Sequence, residues 1–342
     1  MSPSRAQHRK SAREQVTLEF PTNVFLPALG GAHQKNFVRL EQKLGVRVAT
    51  RGNLVAVEGS PDSRERAASV LRALYARLEG GEDIGAAEVD AEIRFASHEQ
   101  PKAADGDFGT PSVKTAPGRT VRARSPAQSA YLDLMRTHPL VFGVGPAGTG
   151  KTYLAAAFGA HLLYERRVER LVLSRPALEA GERLGFLPGD IREKIDPYLR
   201  PLYDALFETL GEQSLKLMES GVIEVAPLAF MRGRTLSRAF VILDEAQNCT
   251  SAQMKMFLTR LGEDSRMVVT GDPSQSDLPG GHGQGLEEAL AILSDVEGVA
   301  VARFSEKDVV RHALVTRIVR AYADNEEPRL PPRYRKAKDS GT

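Results

Sequence analysis

Residues 145–152 read Gly145, Pro146, Ala147, Gly148, Thr149, Gly150, Lys151 and Thr152. Three glycines in eight positions let a backbone wrap a small anion with its N–H groups pointing inward, and a helix starting at the loop's end adds its positive dipole. A lysine followed by a hydroxyl residue completes the set. Lys151 is placed to reach the β- and γ-phosphates of a nucleoside triphosphate, and the Thr152 hydroxyl to bind Mg²⁺. The setting is the one such a P-loop needs. The apolar run LVFGVG precedes it, and the helix-compatible run TYLAAAFGAHLL follows it.

Two further strings end in chemistry-bearing residues. AFVILDEAQ, residues 239–247, is an apolar strand closing on two carboxylates. Asp244 at the strand end is expected to hold Mg²⁺, directly or through water, and Glu245 to polarise an attacking water. A supplied water-activating base favours hydrolysis over transfer to a second substrate. VVTGDPSQ, residues 268–275, is a strand ending in a polar turn. Alone, GDPS is a good β-turn sequence. Following the DE strand, it suggests that Gln275 senses the γ-phosphate or the attacking water, braced by Asp272.

The elements needed to position these residues are legible. LVFGVG, RLVLSR, VIEVAP, AFVILDEA, RMVVTGD and GVAVARF alternate with helical patterns over about 120–325. Short apolar strands between helices predict an α/β domain whose parallel sheet is covered on both faces, with ligands at the carboxyl ends of the strands. Ahead of it, residues 16–95 read as a small α+β block. The strand VTLEF leads through the loop LGGAHQKN to a helix with Phe37, Leu40 and Leu44 on one face, ended by Gly45. A hairpin turning at RGN follows, then a helix starting at Ser60 and Pro61 with Ala67, Val70, Leu71 and Leu74 on one face. Residues 96–119, with Pro101, Pro111 and Pro117, read as a linker. Residues 1–15 and 326–342 read as basic, disordered tails, which are also able to hold phosphate backbones electrostatically.

RPALEAGERLGFLPGDIREKIDPYLRPLYDAL, from Arg175 to Leu206, together with the P-loop, DEAQN and TGDPSQ, closely resembles the PhoH-like family of P-loop ATPases, over about Val121 to Tyr322. The resemblance implies a RecA-like ATPase core similar to the first lobe of superfamily 1 helicases. In those helicases a glutamine upstream of the P-loop reads adenine, and Gln128 in RSPAQSAYL occupies the matching position, which favours ATP. A polar surface residue is the plainer reading of that position. The family further implies RNA metabolism, with single-stranded or ribosomal RNA as ligand and an endoribonuclease as partner. Some relatives carry a fused PIN nuclease domain. The stretch after Asn325 is too short for one, and the N-terminal block lacks an acidic metal cluster, so nuclease activity is not expected in this chain.

The N-terminal block looks like a KH-type fold, which grips single-stranded nucleic acid through a GxxG loop. Here the loop is Gly30, Gly31, Ala32, His33, with His33 in place of the last glycine and Lys35 and Arg39 as nearby charges. A protein–protein or purely structural role is the alternative. A γ-phosphate site usually needs an arginine finger. Arg311 is the candidate, with Arg303, Arg317 and Arg320 as competitors and a pairing of Arg311 with Asp308 as the plain alternative. One RecA-like domain does not sandwich its own nucleotide, so a homo-oligomer is expected, a hexameric ring as the resemblance suggests. The loop Gly185–Gly189, flanked by Arg175 and Glu182, is expected to touch RNA or the neighbouring subunit. A nucleotide-timed scaffold and, less well supported, a small-molecule kinase are the other functional readings. Helicase action stays open, because one lobe is visible where a helicase normally has two.

Bulk properties set outer limits. The 342 residues carry 42% hydrophobic and 26% charged side chains, ordinary for a globular protein able to bury a sizeable core. A formal charge of +2 does not single out a polyanion partner. Cys249 alone excludes an intramolecular disulfide and a cysteine zinc site. No apolar run approaches the roughly 20 residues of a membrane span, and the N-terminus lacks the apolar core of a signal peptide. The expected location is cytoplasmic.

Overall fold

The computed structural model describes residues 15–97, 111–176, 191–275 and 285–310, and positions 314, 315, 317, 318 and 321. Both basic tails, most of the linker, the loop Gly185–Gly189 with Glu182, and Arg311 and Arg320 lie outside the described residues.

The N-terminal unit runs β1 (Gln15–Glu19), α1 (Leu26–Gly30), α2 (Lys35–Leu44), β2 (Arg47–Arg51), β3 (Leu54–Glu58), α3 (Pro61–Glu79) and α4 (Ala86–Ala96). The strands form an antiparallel sheet in the order β1-β3-β2. Alternation puts Leu18, Val55 and Val57 inward, against Leu29, Phe37, Leu40, Leu71 and Leu74 of the helices. Local signals fix the boundaries. Gly45 ends α2 in the left-handed conformation, φ 67°. Ser60 caps α3 by accepting from the Ser63 N–H, and Pro61 is its first residue. The helix α4 extends this unit in a stretch with weak periodicity in the sequence.

Part of the expected linker is instead ordered. β4 (Ser112–Ala116) and β5 (Arg119–Arg122) pair as a hairpin against the ATPase-like unit. Val113 and Val121 enter its core, and the Thr115 hydroxyl donates to the Thr209 carbonyl at 2.6 Å. Few apolar residues lie in SVKTA and RTVR, so the burial comes from tertiary contacts that periodicity does not register.

Next come α5 (Pro126–Thr137), β6 (Leu140–Val144), α6 (Lys151–Tyr164), β7 (Arg170–Arg175), α7 (Ile191–Leu210), α8 (Gln213–Glu219), β8 (Ile223–Pro227), β9 (Ala239–Leu243), α9 (Ser251–Leu258), β10 (Arg266–Gly271), α10 (Gly285–Leu293) and β11 (Val299–Arg303). Six strands make one parallel sheet in the order β11-β6-β10-β9-β7-β8. All six sequence-read strands are in it. Helices α5, α6 and α7 cover one face, with Phe158, Phe240 and Leu171 at the contact. Helices α9 and α10 cover the other, over Phe142, Leu243 and Val269. The strands β6, β9 and β10 are buried at nearly every position, as a sheet covered twice requires.

The two units meet at a polar seam. Glu82, between α3 and α4, pairs with Arg77 of its own unit and with Arg122 of β5. The Arg94 guanidinium donates to the Arg124 carbonyl at 2.8 Å.

Candidate functional site

The carboxyl ends of β6, β9 and β10 lie side by side, because β10 pairs with both others. That register gathers the three motifs. A cleft of about 260 Å³ is lined by Ala147, Gly148, Lys151, Thr152, Asp244, Glu245, Asp272 and Gln275. Sequence reasoning found each of these, and the structure brings them together.

The loop from Gly145 to Gly150 leaves β6 and enters α6. At Gly145, φ is 141° and a Cβ would sit 2.4 Å from the Phe304 carbonyl oxygen, so no other residue fits there. Thr149 is fully buried, and its hydroxyl donates to the Pro146 carbonyl at 2.9 Å. The Lys151 ammonium, on a side chain 9% exposed, lies over the loop and donates to the carbonyls of Gly145 at 2.6 Å and Pro146 at 2.8 Å. These contacts place a buried cation against the loop that would wrap the phosphates, which suits it to a phosphate oxygen.

Asp244, 5% exposed, accepts from the Thr152 hydroxyl at 2.6 Å and from the Thr270 hydroxyl at 2.8 Å, both on Oδ1. Thr270 was missed in the sequence, since nothing in VVTGD distinguishes it from a strand threonine. Asp272 accepts two bonds from Ser274 on Oδ1, while its buried Oδ2 has no hydrogen-bond partner among the described residues. Oxygen donors from Thr152 and Asp244 in contact, with an unsatisfied carboxylate oxygen beside them, fit a hard divalent cation such as Mg²⁺. The polar turn after β10 forms, with the Gln275 N–H donating to the Asp272 carbonyl at 3.0 Å.

Glu245 sits in the left-handed region at φ 53°, ψ 42°, an uncommon conformation for a glutamate, and it lines the cleft. Arg175 Nη2 is 3.0 Å from Oε1, and the Gln247 amide donates to Oε2 at 2.5 Å. Gln247 in turn accepts from the Asp272 N–H at 3.0 Å. The sequence carried Gln247 only as part of the DEAQN string, with no role attached.

A second cleft of about 230 Å³ continues the first across Gly148, Gly150 and Tyr153, and adds Arg122, Arg124, Gln128 and Glu208. Each cleft alone is below the roughly 300–1,000 Å³ of a small-molecule site, and joined they reach it. The Tyr153 phenol is raised above its ordinary pKa by burial and by the Glu208 carboxylate, so it stays neutral. Gln128 is 4% exposed, which removes the surface-residue reading. Its amide is already engaged, donating to the Thr149 carbonyl at 2.9 Å and accepting from the Arg124 N–H at 2.6 Å. One N–H and one lone pair remain for a base. Gln128 therefore braces the P-loop, whatever else it contacts.

Val310 donates its N–H to the Gly148 carbonyl at 3.0 Å, which puts the residue before Arg311 on the loop itself. Of the competing arginines, Arg303 is the last residue of β11, and Arg317 is exposed. In the N-terminal unit the loop between α1 and α2 leaves His33 and Lys35 exposed. Arg39 does not serve as a free charge there, because it forks onto Asp90 of α4 with two bonds of 2.5 Å. Lys43 approaches the same carboxylate at 3.0 Å. Among the described residues no helix is long and apolar enough to cross a membrane.

Residues 120–323 match the family described as PhoH-like protein. The PhoH-like protein of Mycobacterium bovis is 46% identical over 321 residues, covering 93% of this chain and 90% of the relative. That of Bacillus subtilis is 47% identical over 292 residues, covering 85% and 92%. Protein PhoH of Escherichia coli is 49% identical over 206 residues, covering 59% and 58%. An overlap of 321 residues takes in the N-terminal unit as well as the sheet.

Proposed function

The chain belongs to the PhoH-like family of P-loop ATPases, and from that premise we propose that it hydrolyses ATP with Mg²⁺ in a cycle coupled to single-stranded or ribosomal RNA. One observation carries the hydrolytic half. A buried lysine, a hydroxyl bonded to an aspartate and a glutamate on the rim share one cleft. In this reading the loop N–H groups and Lys151 bind the β- and γ-phosphates. Thr152 and Asp244 hold Mg²⁺, which when bound neutralises phosphate charge. Glu245 accepts a proton from the water attacking the γ-phosphorus, and Gln275 reports the γ-phosphate to the turn at Asp272. The base and ribose occupy the second cleft, beside Tyr153 and Gln128.

The RNA half rests on the N-terminal unit. Its Gly30–His33 loop is displayed between two helices, with Lys35 exposed next to it, as a KH-type loop would be. A homo-oligomeric ring, hexameric as the family resemblance suggests, would let Arg311 of one protomer complete a neighbour's site. An endoribonuclease is the partner this reading favours, in the cytoplasm.

The test is ATP turnover by the full chain with and without single-stranded RNA, alongside strand separation of a duplex with a single-stranded tail. Stimulation that is lost in Lys35→Glu supports the coupled ATPase. Stimulation without strand separation favours an RNA-responsive timer over a helicase. Turnover indifferent to RNA removes the RNA half of the proposal and leaves the ATPase half standing.

A further inference from the structure

Four arginines surround a cavity of about 410 Å³ at the amino ends of the sheet strands, the end away from the three nucleotide motifs. Its charged lining is Arg166, Arg167, Arg238 and Arg266 against Glu169 and Asp264, four positive groups to two negative. Arg266 opens β10, and Arg238 precedes β9. Arg166 and Arg167 lie where the chain turns from α6 toward β7. The backbone is strained to carry this lining. Among the described residues six that are not glycine have positive φ, and three of them are here: Arg166 at 55°, Arg238 at 49° and Asp264 at 53°. Glycine takes such positions without strain, and outliers of this kind gather at ligand sites.

Helix capping does not account for the arginines. The Arg166 N–H donates to the Leu163 carbonyl at 3.0 Å and the Arg167 N–H to the Leu162 carbonyl at 2.8 Å, so the backbone itself satisfies the end of α6. Glycine usually stands at the place of Arg166 in that turn. The side chains of Arg166 and Arg167 are exposed and make no hydrogen bond or ion pair among the described residues. Arg238 pairs with Glu169 at 2.8 Å in an exposed contact. Arg266 donates from Nη1 to the carbonyls of Met135 and His138 at 3.0 and 3.1 Å, which leaves Nη2 and Nε without a partner among the described residues. Burial and the charge of Arg167 hold Arg266 below the ordinary arginine pKa, so an anion beside both would offset their repulsion.

We propose that this cavity is a second anion site, separate from the nucleotide cleft, that binds a compact multivalent phosphate of the pyrophosphate class through the guanidiniums of Arg166, Arg167, Arg238 and Arg266. Planar guanidiniums match phosphate oxygens two at a time. The volume falls in the range of small-molecule sites. No aromatic side chain is among the lining residues, so the cavity lacks the stacking platforms that hold single-stranded nucleic acid. The site is independent of the hydrolytic reading of Glu245.

The experiment is calorimetric titration of pyrophosphate into the full chain, its nucleotide cleft first saturated with a non-hydrolysable ATP analogue and excess Mg²⁺. The parent should bind one pyrophosphate per chain. In the double variant Arg166→Gly, Arg238→Gly the affinity should fall about 10-fold or more, as loss of charged donors implies, while analogue affinity stays within about twofold. Both glycines enter left-handed positions, so the variant relieves strain and keeps the fold. Arg167→Glu, which reverses a charge outside those positions, should weaken pyrophosphate at least as much. No binding to the parent, or equal binding to the parent and both variants, overturns the site. Sulfate binding as tightly as pyrophosphate also overturns it, because the arginines would then form a general anion patch. So does a short unphosphorylated single-stranded RNA whose binding the double variant weakens while pyrophosphate binding is unchanged, since the arginines would then hold a nucleic-acid backbone.

Discussion

The Lys151 ammonium and the Cys249 thiol show how position in the fold gives each group its chemistry. Lys151 is buried against loop carbonyls, and bonds from a charged donor are worth about 1.5–3 kcal/mol each. Lys151→Ala should therefore weaken ATP binding by roughly 10- to 100-fold in an equilibrium titration. Cys249 lies fully buried beneath the turn after Glu245, and burial pushes its thiol up to about 12. The thiolate is the reactive form. Native protein should resist iodoacetamide at pH 8, and urea-unfolded protein should react at the rate of an ordinary cysteine. Rapid labelling of the native chain would show that this turn opens. The residues proposed for phosphate and metal binding were legible because their types and spacing follow from what that chemistry needs. Thr270 and Gln247 were not, since each matters only through a partner on another element.

At the scale of elements, sequence patterns named every strand of the parallel sheet, because strands buried on both faces are apolar throughout. They missed the β4–β5 hairpin and α4, whose order depends on docking. Close packing of α6 on the sheet is testable at Gly159, where a Cβ would lie 2.6 Å from Leu171 and 2.7 Å from Phe240. Gly159→Val should destabilise the chain by about 1–3 kcal/mol in denaturant titration, as overpacking does. On the edge strand, Glu224 of β8 is held below the usual carboxylate range by hydrogen bonds from Arg234 at 2.6 and 2.7 Å. A carboxylate with a depressed folded pKa adds stability that is present above its unfolded pKa and lost as pH falls through the folded value. Glu224→Gln should flatten the loss of stability below about pH 4.5 and change the slope little near neutrality. An unchanged acid limb would count against the pair.

Across the whole molecule, the seam at Glu82, Arg77 and Arg122 joins the N-terminal unit to the hairpin that borders the second cleft. Arg94 ties α4 to the backbone of Arg124, four residues before the glutamine that braces the P-loop. Helix α4 thus links α2, which follows the Gly30–His33 loop and pairs with α4 through Arg39 and Asp90, to the backbone leading to Gln128. Glu82→Ala should cost on the order of 1 kcal/mol and reduce any RNA stimulation while leaving RNA-free turnover in place. The proposed activity requires that the cleft both bind ATP and activate water through Glu245. The most direct test measures ATP affinity and ATP hydrolysis on one preparation of Glu245→Gln. The account predicts binding near the parent value with hydrolysis slowed by about 10²–10⁴. Hydrolysis at the parent rate, with binding intact, would contradict it.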